Sequence, residues 1–226
     1  MLRFLVSQKE GNAFIFDKNN QERIKANRLR ENEHILCLYE NEYYEASISK
    51  NKANIIKKLD INNEFKHDIV YALPLIKYKK IDLLVQKLTE LGVKKLQLLL
   101  TENISVKYTI DDLKKKIERW EAISKAACEQ SFRNNYLKIL MPIKFDDFLK
   151  QYLNYNKFIA HEKQEVEESF FLEGDLVLVS GPEGGLTQDE VEKALKNNFK
   201  VISLGKTILR AESAAIKLAS LIKTNN

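Results

Sequence analysis

Short apolar runs alternate with amphipathic stretches along most of this chain, and the alternation predicts strands and helices in turn. The apolar strand candidates after the first third of the chain are residues 69–74, 96–100, 158–161, 175–179 and 200–204. Helical spacing of apolar residues marks residues 78–91, 110–131, 188–195 and 211–223. Strands that alternate with helices predict a mainly parallel sheet over residues 69–226.

The first part of the chain has a different pattern. Residues 13–16, 34–39 and 43–48 are short strand candidates separated by Asn-rich and Glu-rich turns, and the step Glu40-Asn41-Glu42 fits a hairpin connection. We therefore expect an all-β module over residues 1–68, followed by an α/β domain over residues 69–226.

Glycine is scarce and concentrated. The chain has seven glycines and three prolines, and three of the glycines and one proline fall within residues 180–186. This run follows the strand predicted at 175–179, and Thr187 and Glu190 have the spacing of a capping box that begins a helix. In open parallel sheets, ligands bind beyond the carboxyl ends of strands. The order of strand, glycine loop and helix therefore predicts that the functional site lies at residues 180–186.

The same order repeats downstream, where a predicted strand at 200–204 is followed by Gly205 and then by the helix predicted at 211–223. Residues 206–213 form a predicted extended link that carries a cation, Arg210, and a carboxylate, Glu212. Two such loops can face one another across a ligand.

Composition limits the classes of protein to which this chain can belong. The chain has 226 residues, an apolar fraction of 44%, a formal charge of +5 and a pI near 8.9, which permits a nucleic-acid partner without demanding one. No apolar run reaches the roughly 20 residues of a membrane span, and no signal peptide opens the sequence, so we expect a cytoplasmic protein with no membrane partner. Two distant cysteines and three scattered histidines predict no metal site.

Five ordered motifs resemble the RsmE family of ribosomal RNA methyltransferases. They are LVQKLTELGV at 84–93, LLTENISVK at 99–107, ERWEAISKAACEQSFR at 118–133, GPEGGLTQDE at 181–190 and LGKTILRAESAA at 204–215. The resemblance covers nearly the whole chain. It implies an α/β fold of the SPOUT type, a trefoil-knotted parallel sheet flanked by helices, with a small N-terminal PUA-like β-barrel domain that binds RNA.

The resemblance also implies an activity and partners. The expected enzyme is a homodimer that uses S-adenosylmethionine to methylate N3 of one uridine in the 16S ribosomal RNA of the small subunit. Methyl transfer from a sulfonium to a nitrogen is an in-line displacement that needs alignment more than metal assistance.

The cofactor candidates come from the two glycine loops and from one strand end. They are Gly181, Gly184, Leu204, Gly205, Ile208 and Leu209, whose backbone and apolar side chains suit an adenosine, and His161, which matches a family position beside the cofactor. The alternatives are that the glycines only shape turns and that His161 is simply hydrogen-bonded at a strand end.

Two residues are candidates for catalysis. Arg210 offers a planar guanidinium that can stabilise the uracil oxygens or a phosphate. Glu212 can orient the substrate, or accept the N3 proton if burial raises its pKa. An ion pair or a helix-start carboxylate is the alternative role for Glu212.

The RNA-contact candidates are cations. They are Arg3, Arg23, Arg28 and Arg30 in the first domain, and Arg133 after the long helix. Ordinary surface ion pairs are the alternative for each of the first four. Glu129 is expected to be structural. Two positions depart from the family pattern: Phe132 stands where glycine is usual, and Lys206 stands where a proline commonly follows Gly205.

Two other classes of function remain for comparison. A noncatalytic RNA-binding factor in ribosome assembly would retain the fold but bind no S-adenosylmethionine. A Rossmann-like nucleotide enzyme is disfavoured because the chain contains neither a GxGxxG motif after an early strand nor a P-loop.

Overall fold

The computed structural model describes residues 1–104, 106–161 and 171–223. The chain divides into two compact units. The first comprises Met1–Glu64 and Cys128–Asn135, and the second comprises Phe65–Ala127 and Tyr136–Asn226. The predicted assignment of residues 1–68 as an RNA-binding domain and of 69–226 as a methyltransferase domain stays a prediction.

The first unit is built on one sheet. Its elements are β1 (Arg3–Leu5), β2 (Gln8–Glu10), β3 (Ala13–Ile15), α1 (Lys18–Ala26), β4 (His34–Tyr39), β5 (Glu42–Ser49) and β6 (Lys52–Lys58). The strand order is β1-β4-β5-β6-β3-β2, with β1 parallel to β4 and the other pairs antiparallel. The predicted hairpin is confirmed, since Tyr39 pairs with Glu42 and both intervening residues have positive φ.

The expectation of an all-β first module is wrong in one element. Residues Lys18–Ala26 form the helix α1, which Asp17 caps by accepting a hydrogen bond from the Asn20 backbone N–H. Only Asn20 of this helix is buried, so no apolar periodicity marks α1 in the sequence. The side chain of Asn20 donates to the Leu5 carbonyl, which ties α1 to β1.

The second unit is an α/β layer structure. Its elements are β7 (Ile69–Pro74), α2 (Tyr78–Glu90), β8 (Lys95–Leu100), α3 (Ile110–Ser131), β9 (Lys138–Lys144), α4 (Phe145–Leu149), β10 (Asn156–Ala160), β11 (Leu176–Val179), α5 (Gln188–Lys196), β12 (Phe199–Ile202) and α6 (Ala211–Ala219). The last residues of α3, from Cys128, belong to the first unit. The elements β9 and α4 were not predicted from the sequence. Helix α6 ends at Ala219, whereas the prediction extended it to Lys223.

The sheet of the second unit is wholly parallel, with strand order β12-β10-β11-β7-β8-β9. Every residue of β7 and β11 is buried. Alternate residues of β7 enter two apolar clusters: Tyr71 packs in a cluster with residues of α2, α3 and α6, and Ala72 in a cluster with residues of α4 and α5. Helices therefore cover both faces of the sheet, as parallel sheets require.

No described helix combines the length and the apolar character needed to cross a membrane.

A buried ion pair closes the first unit. The Arg133 guanidinium donates to Glu64 from Nε at 3.2 Å and from Nη2 at 2.6 Å, and the side chains of Arg133 and Glu64 are only 5% and 8% exposed. Glu64 Oε1 also accepts the backbone N–H groups of Asn134 and Asn135, both at 2.9 Å. One carboxylate thus satisfies four donors.

Phe132 adopts a backbone conformation that favours glycine. Its φ is +60°, so the turn after α3 is left-handed even though a phenylalanine occupies it. The ring packs edge-on against Tyr43 at 4.8 Å and lies 5.0 Å from the Arg3 guanidinium. These contacts offset the strain, so the departure from the family pattern at Phe132 leaves the turn in place.

We expect Arg133→Met to lower the free energy of unfolding by about 3–5 kcal/mol, because it leaves the Glu64 carboxylate buried without its cation. Urea denaturation followed by circular dichroism measures the change. The exposed Arg28→Met is the control and should change the free energy by less than about 0.5 kcal/mol. Equal effects of the two substitutions would show that the Arg133 pair is not structural.

Candidate cofactor pocket and active site

The carboxyl ends of β10, β11 and β12 lie at one edge of the second unit's sheet, where His161 follows β10 and the loops after β11 and β12 begin. Because β10 pairs in parallel with both β11 and β12, their carboxyl ends lie side by side. A cavity of about 270 Å³ lies there. All seven predicted cofactor residues line it, namely His161, Gly181, Gly184, Leu204, Gly205, Ile208 and Leu209. The structure brings these residues together, and cofactor binding by them stays a prediction.

The loop after β11, residues 180–187, is tightly turned. A side chain at Gly181 would place its Cβ 3.3 Å from the Leu186 backbone nitrogen. Gly185 has a φ of +71°, and its N–H donates to the Pro182 carbonyl at 3.0 Å. The three glycines of this loop line the cavity and carry no side chain, so their backbone N–H and C=O groups are accessible to a ligand there.

Neighbouring side chains brace the same loop. The Asn103 amide donates to the carbonyls of Gly184 at 3.4 Å and Gly185 at 3.1 Å, and a Cβ on Gly184 would lie 3.3 Å from the Cβ of Asn103. The predicted capping box is confirmed: Thr187 N–H donates to the Glu190 carboxylate, and Glu190 N–H donates to the Thr187 hydroxyl. Glu190 also accepts the Glu102 N–H at 3.0 Å.

The loop after β12 supplies the opposite wall. Gly205 has a φ of +115°, which side-chain-bearing residues rarely adopt, and its N–H donates to the Ser203 hydroxyl at 3.3 Å. Leu204 and Leu209 are half-buried, whereas Ile208 is 84% exposed. All three side chains line the cavity, so its wall on this side is partly apolar.

The two predicted catalytic residues lie at the start of α6. Arg210 is the exposed residue that precedes the helix, and Glu212 lies in its first turn. Neither residue lines the cavity. The lining includes Leu209 on one side of Arg210 and Ala214 on the other side of Glu212, so both residues flank the cavity.

Glu212 belongs to a charged cluster. The ammonium of Lys80, in the first turn of α2, lies 2.9 Å from Glu212 Oε2 and 3.3 Å from Glu183 Oε1 in the glycine loop. Both contacts are ion pairs, so one ammonium attracts two carboxylates.

The ammonium of Lys80 lowers the pKa of Glu212, and the guanidinium of Arg210 adds to this effect. The two carboxylates in turn raise the pKa of Lys80. The condition under which Glu212 was expected to accept the N3 proton, a pKa raised by burial, is therefore not met, because its neighbouring cations outweigh its desolvation. Glu212 is ionised at neutral pH and is a weak base.

Lys80 and Asn103 belong to this site but were not predicted from the sequence. One signal for Lys80 was present in the sequence: Lys77, Lys79 and Lys80 all lie at the start of α2, where the helix dipole disfavours cations. A local rule broken in this way often marks a functional position. Asn103 lies within the family motif at 99–107, but its role was not predicted, because its bonds to Gly184 and Gly185 join residues 81 and 82 positions apart.

The predicted RNA-contact arginines differ in exposure. Arg28 and Arg30 are exposed, whereas Arg3 and Arg23 are half-buried. The Arg23 guanidinium donates to Glu129 at 2.6 Å and to the Arg3 carbonyl, and it lies 4.8 Å from the Phe4 ring. Glu129 also accepts the Leu5 N–H, which supports its expected structural role.

The structure does not support the prediction that Arg133 contacts RNA. The prediction of an RNA contact requires an exposed guanidinium, whereas Arg133 is buried and bonded to Glu64. The end of α3 supplies this residue to the interior of the first unit. The expectation at Arg133 is therefore wrong, and the residue is structural.

No group of three or more His, Cys, Asp or Glu side chains that could hold a metal ion occurs in the described residues. The thiols of Cys37 and Cys128 are buried, and burial raises the pKa of each to about 12. Neither cysteine is a nucleophile at neutral pH.

Comparisons with known proteins agree with this geometry. The family model described as an RNA methyltransferase domain matches residues 63–223. The ribosomal RNA small subunit methyltransferase E of Mesomycoplasma hyopneumoniae is 39% identical over 222 residues, which cover 96% of this chain and 97% of that protein. The protein of the same name from Bacillus subtilis is 31% identical over 86% of this chain and 83% of its own length.

Solved structures extend the likeness to three dimensions. A ribosomal RNA small subunit methyltransferase E from Neisseria gonorrhoeae, bound to S-adenosyl methionine, matches with a TM-score of 0.87 and 26% identity, covering 97% of this chain and 95% of that one. A putative methyltransferase from Legionella pneumophila in complex with the same cofactor matches with the same TM-score and identity, covering 97% and 96%.

The expected fold class, a SPOUT-type trefoil-knotted parallel sheet flanked by helices with a small N-terminal PUA-like β-barrel domain, is thereby confirmed, and the sheet of the first unit is a curled half-barrel. The chain belongs to the RNA methyltransferase domain family and, within it, to the RsmE family of small-subunit ribosomal RNA methyltransferases.

Proposed function

We propose that this protein transfers the methyl group of S-adenosylmethionine to N3 of a uridine in the 16S RNA of the small ribosomal subunit. The observation that carries the proposal is the cavity at the carboxyl edge of the parallel sheet, which gathers all seven predicted cofactor residues from the end of β10 and from the loops after β11 and β12. The names of the relatives support ribosomal RNA as the substrate, and two similar solved structures support the cofactor.

The residues of the cavity fit this cofactor. Gly181, Gly184 and Gly205 let the backbone approach a ligand, so that N–H and C=O groups can bond the edge of an adenine. Leu204 and Leu209 offer apolar surface to the ring. The bound cofactor supplies a methyl group on a sulfonium, which is electrophilic without a metal.

The residues of this chain contribute alignment and charge. Uridine N3 loses its proton to solvent water as it is methylated, so negative charge develops on the uracil ring and its oxygens. Arg210 is exposed beside the cavity and can donate to those oxygens through its planar guanidinium. Glu212, ionised and paired with Lys80, orients Arg210 and the substrate rather than taking the proton.

The first unit serves to hold RNA. Arg28 and Arg30 can contact phosphates from the loop after α1. Arg3 and Arg23 can add positive charge to this surface, although Arg3 lies against the Phe132 ring and Arg23 is paired with Glu129. The active form is a cytoplasmic homodimer, as the family resemblance implies.

The substrate assignment is tested by mapping modified uridines in the ribosomal RNA of a strain that lacks the gene. One N3-methyluridine in 16S RNA should disappear and should return when the gene is restored. An unchanged map would contradict the proposed substrate. Intact RNA binding by a purified protein that binds no S-adenosylmethionine would instead favour a noncatalytic assembly factor.

We expect Arg210→Gln to lower kcat by about 10²–10³-fold while the dissociation constant for S-adenosylmethionine stays within about twofold, because the guanidinium acts on the uracil and not on the cofactor. Methyl transfer to small subunits from the deletion strain measures kcat, and calorimetry measures the dissociation constant. Lys206→Gln is the control, since this exposed cation of the same loop does not line the cavity. A fall in cofactor affinity equal to the fall in kcat would contradict this role.

Removing the charges of Arg28 and Arg30 should weaken RNA binding in a salt-dependent way. For the double Gln variant, we expect the slope of log K against log salt concentration to become shallower by about one unit for each phosphate that is no longer neutralised. Lys150→Gln, an exposed cation of the second unit, should leave the slope unchanged. If both variants keep the wild-type slope, Arg28 and Arg30 do not bind phosphates.

A further inference from the structure

One lysine connects the two walls of the cavity. Lys80 lies on α2, its ammonium pairs with Glu183 of the glycine loop and with Glu212 of α6, and its side chain is 25% exposed. Glu183 itself lines the cavity. Three segments that are far apart in the sequence therefore share one cation.

The position of Lys80 is unfavourable for helix α2 alone. Lys77 is the N-cap residue of α2 and makes no side-chain cap, no acidic residue occurs in the first turn, and Lys79 and Lys80 add two cations there. The positive end of the helix dipole repels each of these cations. The carboxylates that offset this repulsion for Lys80 lie outside the helix, in the walls of the cavity.

Lys80 also separates two like charges. Glu183 and Glu212 both approach the same ammonium, so they would repel each other across the cavity edge without it. Within the described part of the chain, the charged groups near Glu212 are Lys80 from α2, which also pairs with Glu183, and Arg210 from the link before α6. Lys80 is the cation that the two carboxylates share.

We propose that Lys80 is a positioning residue for the methyl donor: it fixes the spacing between the glycine loop and the start of α6, and so holds the donor cavity in its binding geometry. Lys80 acts through Glu183 and Glu212 and does not line the cavity. The proposal rests on the proposed function, because it takes S-adenosylmethionine as the ligand of this cavity.

The test compares Lys80→Met with two matched variants by calorimetry with S-adenosylmethionine. We expect Lys80→Met to weaken donor binding about tenfold, as is usual when one member of a coupled charge pair is removed. Lys80→Arg should restore affinity to within about threefold of wild type. Lys79→Met removes the same charge from the same helix turn, but Lys79 is exposed and has no ion pair in the described part of the chain; it should bind as wild type does.

Two further readouts separate positioning from general stability. Lys80→Met should raise KM for S-adenosylmethionine more than it lowers kcat. It should also abolish the loss of donor binding at acidic pH, because without the ammonium the protonation of Glu212 breaks no ion pair and relieves its repulsion by Glu183. If Lys80→Met does not fold, Glu183→Gln tests the same link from the loop side and should weaken donor binding.

The outcomes distinguish the two proposals. If the wild-type protein binds no S-adenosylmethionine, the proposed function fails, and the role of Lys80 fails with it. If the wild type binds the donor, and Lys80→Met and Lys79→Met bind it equally well, only the role of Lys80 is overturned. Likewise, wild-type affinity in Glu183→Gln overturns that role alone.

Discussion

The parallel pairing of β10 with both β11 and β12 is the constraint on which the site depends. Ile159 of β10 lies opposite Val179 of β11, and Ala160 lies opposite Ile202 of β12. Strands paired in this way lie about 4.8 Å apart. The two glycine loops therefore leave the sheet close together, although the whole of α5 separates them along the chain. If either pairing were shifted, the cavity would lose a wall.

Packing of the sheet between helices fixes the strands, and polar side-chain contacts hold the loops that follow them. Every residue of β7 and β11 is buried between two layers of helices, so the strand ends are fixed by packing on both faces. The loops themselves are held by Asn103, Glu190 and Lys80. A cavity built on rigid strands and braced by side chains suits a reaction that depends on alignment.

The sequence predicted the parts of this fold whose cause is local. Strand, glycine loop and capped helix over residues 175–196 follow from neighbouring residues, as does the hairpin at Glu40-Asn41. The helix α1 was missed because it buries only one residue, a polar one, and the prediction for Arg133 was wrong because its partner, Glu64, lies 69 positions away. The contacts of Lys80 are equally nonlocal. The knotted path came only from the family resemblance, since periodicity carries no information on how a chain threads.

The most direct test of the central claim is hydrogen–deuterium exchange with and without S-adenosylmethionine. The claim is that the loops after β11 and β12 together hold the methyl donor. We expect the donor to slow amide exchange in residues 181–186 and 204–209 and to leave exchange in the first unit unchanged. Protection confined to another part of the chain, with both loops exchanging at their free rates, would contradict it.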